Sequence, residues 1–352
     1  EKFYHPFNEN SLSWNVNLWA YIECNDPLWK PHWYQADHSD SMIHIPDAFG
    51  YDLLKDKATI VKCDYLDITP YFPMSCAYIH HKNQNILNIR YVNYWIHENG
   101  SYYFPDDDRT IRTYNLCSSI NIQPYEAHDN KMMIFDNLHK KNGDAFSQGV
   151  EDIRLFHSQH DDHIHFIGTT LSHSYCDKIR MVTGIYEPHK GICTEIKHIK
   201  SPHDTWCEKN WSPIPFGNQD GFIYSWNPFR IGILSKDNEN LMELVFKHES
   251  ILPKEYHDMK GSTPFVPFGE NLIGLIHFSK EHSPRQYFHK LVVLSRNEFK
   301  IVNESAVFCF HKASIEFCIA MCILDTEFGF WISKMDRDPE FVIISQKNIL
   351  TL

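Results

Sequence analysis

Gly149-Val150-Glu151-Asp152-Ile153-Arg154 is the stretch from which the rest of the chain can be read. It opens a strand pair. Leu155–Gln159 is strand-like, His160-Asp161-Asp162 makes a polar turn, and His163–Thr170 returns as a second strand ending in Gly-Thr-Thr. Asp152 and Arg154 stand two apart, so an extended backbone points both to one face. A carboxylate beside a guanidinium either grips a polar substrate or fixes the start of a strand as an ion pair.

Working outward, the same grammar repeats from about Lys57. Met74–His81 and Ile86–His97 pair across the turn Lys82-Asn83-Gln84-Asn85. Ile179–Tyr186 answers Ile192–Ile199, and Trp211–Phe216 answers Gly221–Trp226. Phe265–Phe268 precedes Leu272–Phe278, and Ile315–Leu324 returns as Glu327–Lys334. Amphipathic helices are scarce. Many short strands at regular spacing predict an all-β sandwich, barrel or propeller, and residues 57–352 divide into five units of roughly 60 residues, the size of a four-stranded blade with generous loops. The expected architecture is one β-propeller over 57–352, and the period by itself leaves five or six blades open. Residues 1–56 read differently: Trp14, Trp19, Trp29 and Trp33 stand among acids, Pro and Asn with poor periodicity. They are expected to form an irregular arm packed on the body by its aromatics, or a lip that stacks on substrate.

The totals set bounds. A hydrophobic fraction of 43% with 22% charged residues fits a soluble globular chain. A net charge of -12 argues against a duplex nucleic-acid partner, which requires a basic face. No apolar run reaches the roughly 18 residues of a membrane span. The 10 Cys show no disulfide or zinc framework, and Glu1–His5 does not read as a signal peptide, so free thiols and a cytoplasmic location are expected. The His160–His165 cluster lies at a hairpin turn, and no catalytic metal or cofactor is expected.

Other stretches carry chemistry. Arg90 alternates with large apolar residues in Asn88–Tyr94 and either projects into a central funnel or forms an exposed cross-strand contact. Lys209 and Asn210 precede a strand and suit sugar hydroxyls or phosphate. Lys260-Gly261-Ser262-Thr263 is a small-residue loop followed by a strand bearing His277. Glu316 is a lone acid in an apolar strand, costly to bury without a partner. Asp336 ends another strand among charges. Either acid binds substrate or holds blades together.

In this order the motifs resemble the five-bladed β-propellers of the glycoside hydrolase family 130 type, a group containing inverting β-mannoside phosphorylases and related to β-1,2-mannosyltransferases. The family pattern Gly-x-Glu-Asp-Pro-Arg stands here as Gly149–Arg154, with Ile153 in place of proline. The resemblance implies that Asp152 is the catalytic acid or base and that Arg90 grips the sugar. It implies that Glu151 and Arg154 line the substrate, and that Lys209, Asn210, Lys260 and His277 surround phosphate. Where the phosphorylases carry an arginine before a proline, this chain has Asn227-Pro228. That departure points to an inverting, mannosyltransferase-like enzyme using a phosphate-activated sugar donor, a sugar 1-phosphate or nucleotide sugar, with a glycan acceptor. A β-mannoside phosphorylase or glycoside hydrolase is the alternative, with Glu316 or Asp336 as the second carboxylate of a hydrolase. A non-catalytic glycan- or protein-binding propeller is the remaining reading.

Overall fold

The computed structural model describes residue 54 and residues 57–351, apart from 98–99, 106–107, 123–124, 140–144, 239, 281–284 and 312–314. The arm expected over 1–56 therefore lies outside the described residues but for Leu54.

The first strand, β1 (Ala58–Val61), belongs to the last blade. Blade one is ordered outward from the central channel as β2 (Phe72–His81), β3 (Gln84–Val92), then, after the small hairpin β4 (Trp95–Ile96) and β5 (Tyr102–Tyr103), β6 (Ile111–Ile122) and β7 (Tyr125–Met132). Short strands β8 (Ile134–Phe135) and β9 (Ser147–Gln148) brace neighbouring edges. Blade two is β10 (Glu151–His157), β11 (Ile164–Thr170), β12 (Arg180–Glu187) and β13 (Ile192–Lys200). Blade three is β14 (Ser212–Phe216), β15 (Gln219–Trp226), β16 (Phe229–Lys236) and β17 (Leu241–Ser250), joined to blade two by a short parallel pairing of β17 with β13. Blade four has a broken inner strand, β18 (Lys260–Gly261) and β19 (Val266–Phe268), then β20 (Asn271–Lys280), β21 (Gln286–Ser295) and β22 (Ile301–Glu304). Blade five is β23 (Glu316–Leu324), β24 (Glu327–Lys334) and β25 (Arg337–Ser345), completed on its outer edge by β1. A short helix, α1 (Gln346–Leu350), follows.

Five apolar clusters close the ring, one between each pair of neighbouring blades. Ile153 and Leu155 of blade two meet Ala77 and Ile79 of blade one. Phe156 and Met181 meet Trp211 and Phe222 of blade three. Phe229 and Ile231 meet Leu272 and Ile276 of blade four. Ile273 and Leu275 meet Phe328 and Phe330 of blade five, and Trp331 and Phe341 meet Leu87 and Ile89 of blade one. Alternation explains this: in β20, Leu272 faces one neighbour and Ile273 the other, so a strand buried on both faces reads as a continuous apolar run. Each such fully buried Leu, Ile or Phe contributes roughly 1.5–3 kcal/mol.

The hairpin read over Lys82–Asn85 is tighter than expected. Its turn is Lys82-Asn83 alone, with φ of 48° and 62°, the left-handed pair that matches the twist of flanking strands.

Candidate active site

The inner strands all begin at one end of the channel. Met74 of β2, Glu151 of β10 and Phe317 of β23 lie there, whereas Ile79, Leu155 and Met321 of the same strands lie at the far end. At the beginning end a cavity of about 170 Å³ opens. Every blade contributes a polar group to it: Arg90 from β3, Glu151 and Asp152 from β10, Lys209 and Asn210 from the loop before β14, His277 from β20, and Asp336 from the turn between β24 and β25.

The backbone at Gly149–Asp152 is shaped to turn both acids inward. Gly149 has φ of +104°, and a Cβ there would lie 2.4 Å from the Thr113 carbonyl oxygen. Asp152 itself has φ of 50°, a left-handed conformation that Asp tolerates better than most residues. Glu151 pairs with Thr169 but Arg154 with Ile167, so β10 carries a bulge at Asp152-Ile153. Gly168 opposes it, and a Cβ there would press on Val150 and the Glu151 carbonyl.

That bulge corrects the pairing read from simple alternation. The guanidinium that meets the Asp152 carboxylate is Arg90, not Arg154. Arg90 Nη1 donates to Asp152 Oδ1 at 2.8 Å and Nη2 to Glu151 Oε2 at 2.6 Å. Ser147 Oγ donates to the other Glu151 oxygen. Arg90 is buried, and burial opposes its charge, but Glu151 and Asp152 more than offset this and hold its pKa above the ordinary range. Arg154 is 0% exposed and does not line the cavity. Its Nη1 donates to the Asp152 carbonyl at 2.9 Å, its Nε to the Ser262 carbonyl at 2.7 Å, and its Nη2 to Asn210 Oδ1 at 3.5 Å. It ties blades two, three and four together behind the site. Burial pulls its pKa down to about 10, against the opposing pull of Asp152, so it stays charged near neutrality.

Asp336 occupies a turn in which Met335 and Asp336 have φ of 51° and 53°. Tyr94 Oη donates to its Oδ2 at 3.3 Å. Burial raises its pKa to about 6, with Arg90 lowering and Asp152 raising it. His277 is buried, with Nδ1 2.8 Å from Ser262 Oγ. Burial, followed by the charges of Lys260, His289, Arg154 and Lys209, holds its pKa well below the usual imidazole range, so the ring is neutral at pH 7. The cavity thus has an acidic side at Glu151, Asp152 and Asp336, and a side with Lys209, Asn210 and neutral His277.

Besides Arg154, three more residues singled out from the sequence do not line this cavity. Lys260 is exposed and pairs in register with His277, beside the cavity rather than in its wall. Asn227 sits in the exposed turn between β15 and β16. Glu316 is 0% exposed, and the backbone N–H groups of Phe310 and His311 donate to its two oxygens at 2.7 and 2.9 Å. This acid in an apolar strand holds a loop through those two backbone donors, and the buried His289 Nε2 lies 3.4 Å from its Oε1. Sequence reading in turn passed over the aromatic wall of Tyr94, Tyr102, Tyr287 and Phe317. The Tyr94 and Tyr102 phenols are buried and held well above their usual range, so both remain hydroxyl donors. Their signal was position: Tyr94 and Tyr102 follow β3 and open β5, at the strand ends that reach the cavity mouth.

Among the described residues no three His, Cys, Asp or Glu side chains are grouped as a metal set. In the His160–His165 turn, His165 pairs with Asp161 at 3.0 Å and Asp162 with Lys82 at 2.7 Å. No described helix is long and apolar enough to cross a membrane.

No protein-family model matches the chain, and no curated protein matches it. Solved structures do. The β-1,2-mannobiose phosphorylase of Listeria innocua, in complex with β-1,2-mannobiose, aligns with a TM-score of 0.52 at 12% identity, over 83% of this chain and 95% of that one. A mannose phosphorylase of Leishmania mexicana, in complex with phosphate ion, gives 0.52 at 12% identity, over 83% and 92%. A structure described under the GH130 family of mannoside phosphorylases, which contains glycoside hydrolases that target β-1,2 mannosidic linkages in Candida mannan, gives 0.50 at 8% identity, over 79% and 85%. At these identities the likeness is one of fold: the chain is a five-bladed β-propeller built as these mannoside-phosphorylase structures are.

Proposed function

We propose that this chain is an inverting glycoside-cleaving enzyme, a phosphorylase acting on β-mannosides. One observation carries the reading: a single small cavity sets Asp152 and its neighbouring acids against Lys209, Asn210 and His277. This reverses the preference for a glycosyltransferase drawn from Asn227-Pro228. Asn227 lies outside the cavity wall, so its replacement of an arginine says little about the site. The solved neighbours whose printed names include a mannobiose, a phosphate ion and β-1,2 mannosidic linkages support the phosphorylase or hydrolase reading.

In the cleavage direction, a phosphate oxygen attacks the anomeric carbon from the face opposite the scissile bond. The C1–O bond to the leaving sugar breaks with inversion, giving an α-sugar 1-phosphate. Asp152 supplies the proton to the departing oxygen, directly or through a sugar hydroxyl, and such placed proton transfer contributes about 10²–10⁴-fold. Lys209 places positive charge on the attacking phosphate. Neutral His277 and the Asn210 side chain offer hydrogen bonds without adding charge. Arg90 holds Glu151 and Asp152 in fixed positions.

A hydrolase is the second reading, favoured by one observation: Asp336 is a further carboxyl in the same cavity. An inverting hydrolase uses such a group as base to water. Incubation with β-1,2-mannobiose and inorganic phosphate, followed by ³¹P NMR, separates the cases. Formation of α-mannose 1-phosphate is the expected result. Free mannose without phosphate incorporation moves the assignment to hydrolysis. Turnover of nucleotide sugars with no cleavage of any β-mannoside refutes both.

A further inference from the structure

His277 meets the small polar cavity with one ring nitrogen already engaged. Its Nδ1 lies 2.8 Å from Ser262 Oγ, so Nε2 is the polar atom the ring has left for the cavity it lines. Burial, with the nearby charges of Lys260, Arg154 and Lys209, keeps the ring neutral at pH 7. A neutral imidazole carries one N–H and one bare nitrogen. Which of the two faces a ligand decides whether the ring donates to an anion or repels it.

The loop that carries Ser262 settles which nitrogen holds the proton. Ser262 is 0% exposed. Its neighbours on both sides are fixed to β20: Gly261 pairs with Ile276, the Thr263 N–H donates to the Leu275 carbonyl at 3.2 Å, and the Leu275 N–H donates to Thr263 Oγ1 at 2.9 Å. The Ser262 carbonyl accepts from Arg154 Nε at 2.7 Å. Among the described residues, the hydroxyl of Ser262 has His277 Nδ1 as its one hydrogen-bond partner. A hydroxyl carries one proton, and a buried donor needs an acceptor. Were the ring proton on Nδ1, Oγ would accept it and the hydroxyl proton would be stranded. Donation from Ser262 to Nδ1 satisfies both groups and leaves the ring proton on Nε2. Phe317 packs edge-on against the ring with centroids 5.0 Å apart, and Tyr287 stacks on it at 5.9 Å, which restricts the flip that would exchange the two nitrogens.

We propose that Ser262 is a positioning residue: its hydroxyl holds His277 as the Nε2–H tautomer, so that the ring offers a fixed donor to an anionic oxygen in the cavity. The proposal rests on the phosphorylase reading only for the identity of that anion, inorganic phosphate.

The test uses the full chain labelled with ¹⁵N-histidine, the His277 signals being identified by their loss in His277→Gln. A protonated, pyrrole-type Nε2 and a pyridine-type Nδ1 are expected in the parent chain. In Ser262→Ala the two tautomers should mix, and the KM for inorganic phosphate should rise about tenfold with a smaller change in kcat. A parent ring protonated on Nδ1 overturns the proposal. So does an Nε2–H tautomer that survives unchanged in folded Ser262→Ala, or an unchanged phosphate KM in a variant whose tautomers do mix. Titration of the parent chain with inorganic phosphate separates the proposal from the reading it rests on. Movement of the Nε2–H signal is expected. A ring that is Nε2–H, depends on Ser262 and ignores phosphate overturns the phosphorylase reading and supports the hold of Ser262 on the ring.

Discussion

Asp336→Asn should make the protein more stable at neutral pH while damaging its site. Burial lifts the Asp336 carboxyl from 3.8 to about 6. A group whose folded pKa lies above its unfolded one contributes stability that is fully present below about pH 4 and is lost as pH rises through 6. The lift is roughly two units, and at ~1.36 kcal/mol per unit it costs the folded state about 3 kcal/mol by pH 7.5. Asn keeps the oxygen that accepts from Tyr94 and tolerates the left-handed backbone, but has no charge to desolvate. Urea unfolding at pH 4.5 and pH 7.5 reads the effect. The parent chain should lose stability between the two values by about 2 kcal/mol more than the variant. Comparing the difference between pH values, rather than one absolute value, removes any gain from Asn in the turn itself. An identical pH dependence in the two proteins would falsify the assignment of a buried, uptitrated carboxyl to this turn.

Asp152→Asn should leave the unfolding midpoint and mannoside binding largely in place while lowering turnover by about two to four powers of ten, measured as phosphate release or uptake. Near-normal turnover in the folded variant excludes Asp152 as the essential proton carrier and turns attention to Asp336. Arg154→Met should act on stability first, because it strands the Ser262 and Asp152 carbonyls without their donor, at about 1–3 kcal/mol each. A urea midpoint close to that of the parent chain rules out the blade-tying role given to Arg154.

The propeller was legible because burial on both faces of each strand leaves a plain mark. Runs such as Leu272–Phe278 and Phe328–Ile332 are apolar at nearly every position. The outer strand Tyr125–Met132 was missed for the opposite reason: Tyr-Glu-Ala-His-Asp-Asn-Lys-Met packs little and reads as loop. Arg90, Asp152, Lys209, Lys260 and His277 were expected to face one cavity on the strength of the family resemblance, and the cavity gathers all of them except Lys260. Arg154 was misplaced because period-two alternation fails across a bulge, and nothing in Glu151-Asp152-Ile153-Arg154 announces that Asp152 takes a positive φ. Glu316, an acid costly to bury without a partner, was expected to bind substrate or hold blades together, and it lies outside the cavity. That partner is backbone N–H from a loop six residues upstream, which no side-chain pattern reveals. The aromatic wall was hidden by abundance: with 24 Phe and 18 Tyr in the chain, no one ring stands out before the fold places it.

The fifth blade is finished by β1, whose partner β25 comes from the other end of the chain. During synthesis the first strand must wait until nearly every later residue has been made before it finds its neighbour. Long-range pairings of this kind are slow to form and leave strand edges open meanwhile. The polar cavity needs all five blades, since Arg90 and Asp336 come from the two that meet at this seam. No partly made chain can therefore hold a complete site, and the first turnover by a newly made molecule would report that the seam has closed.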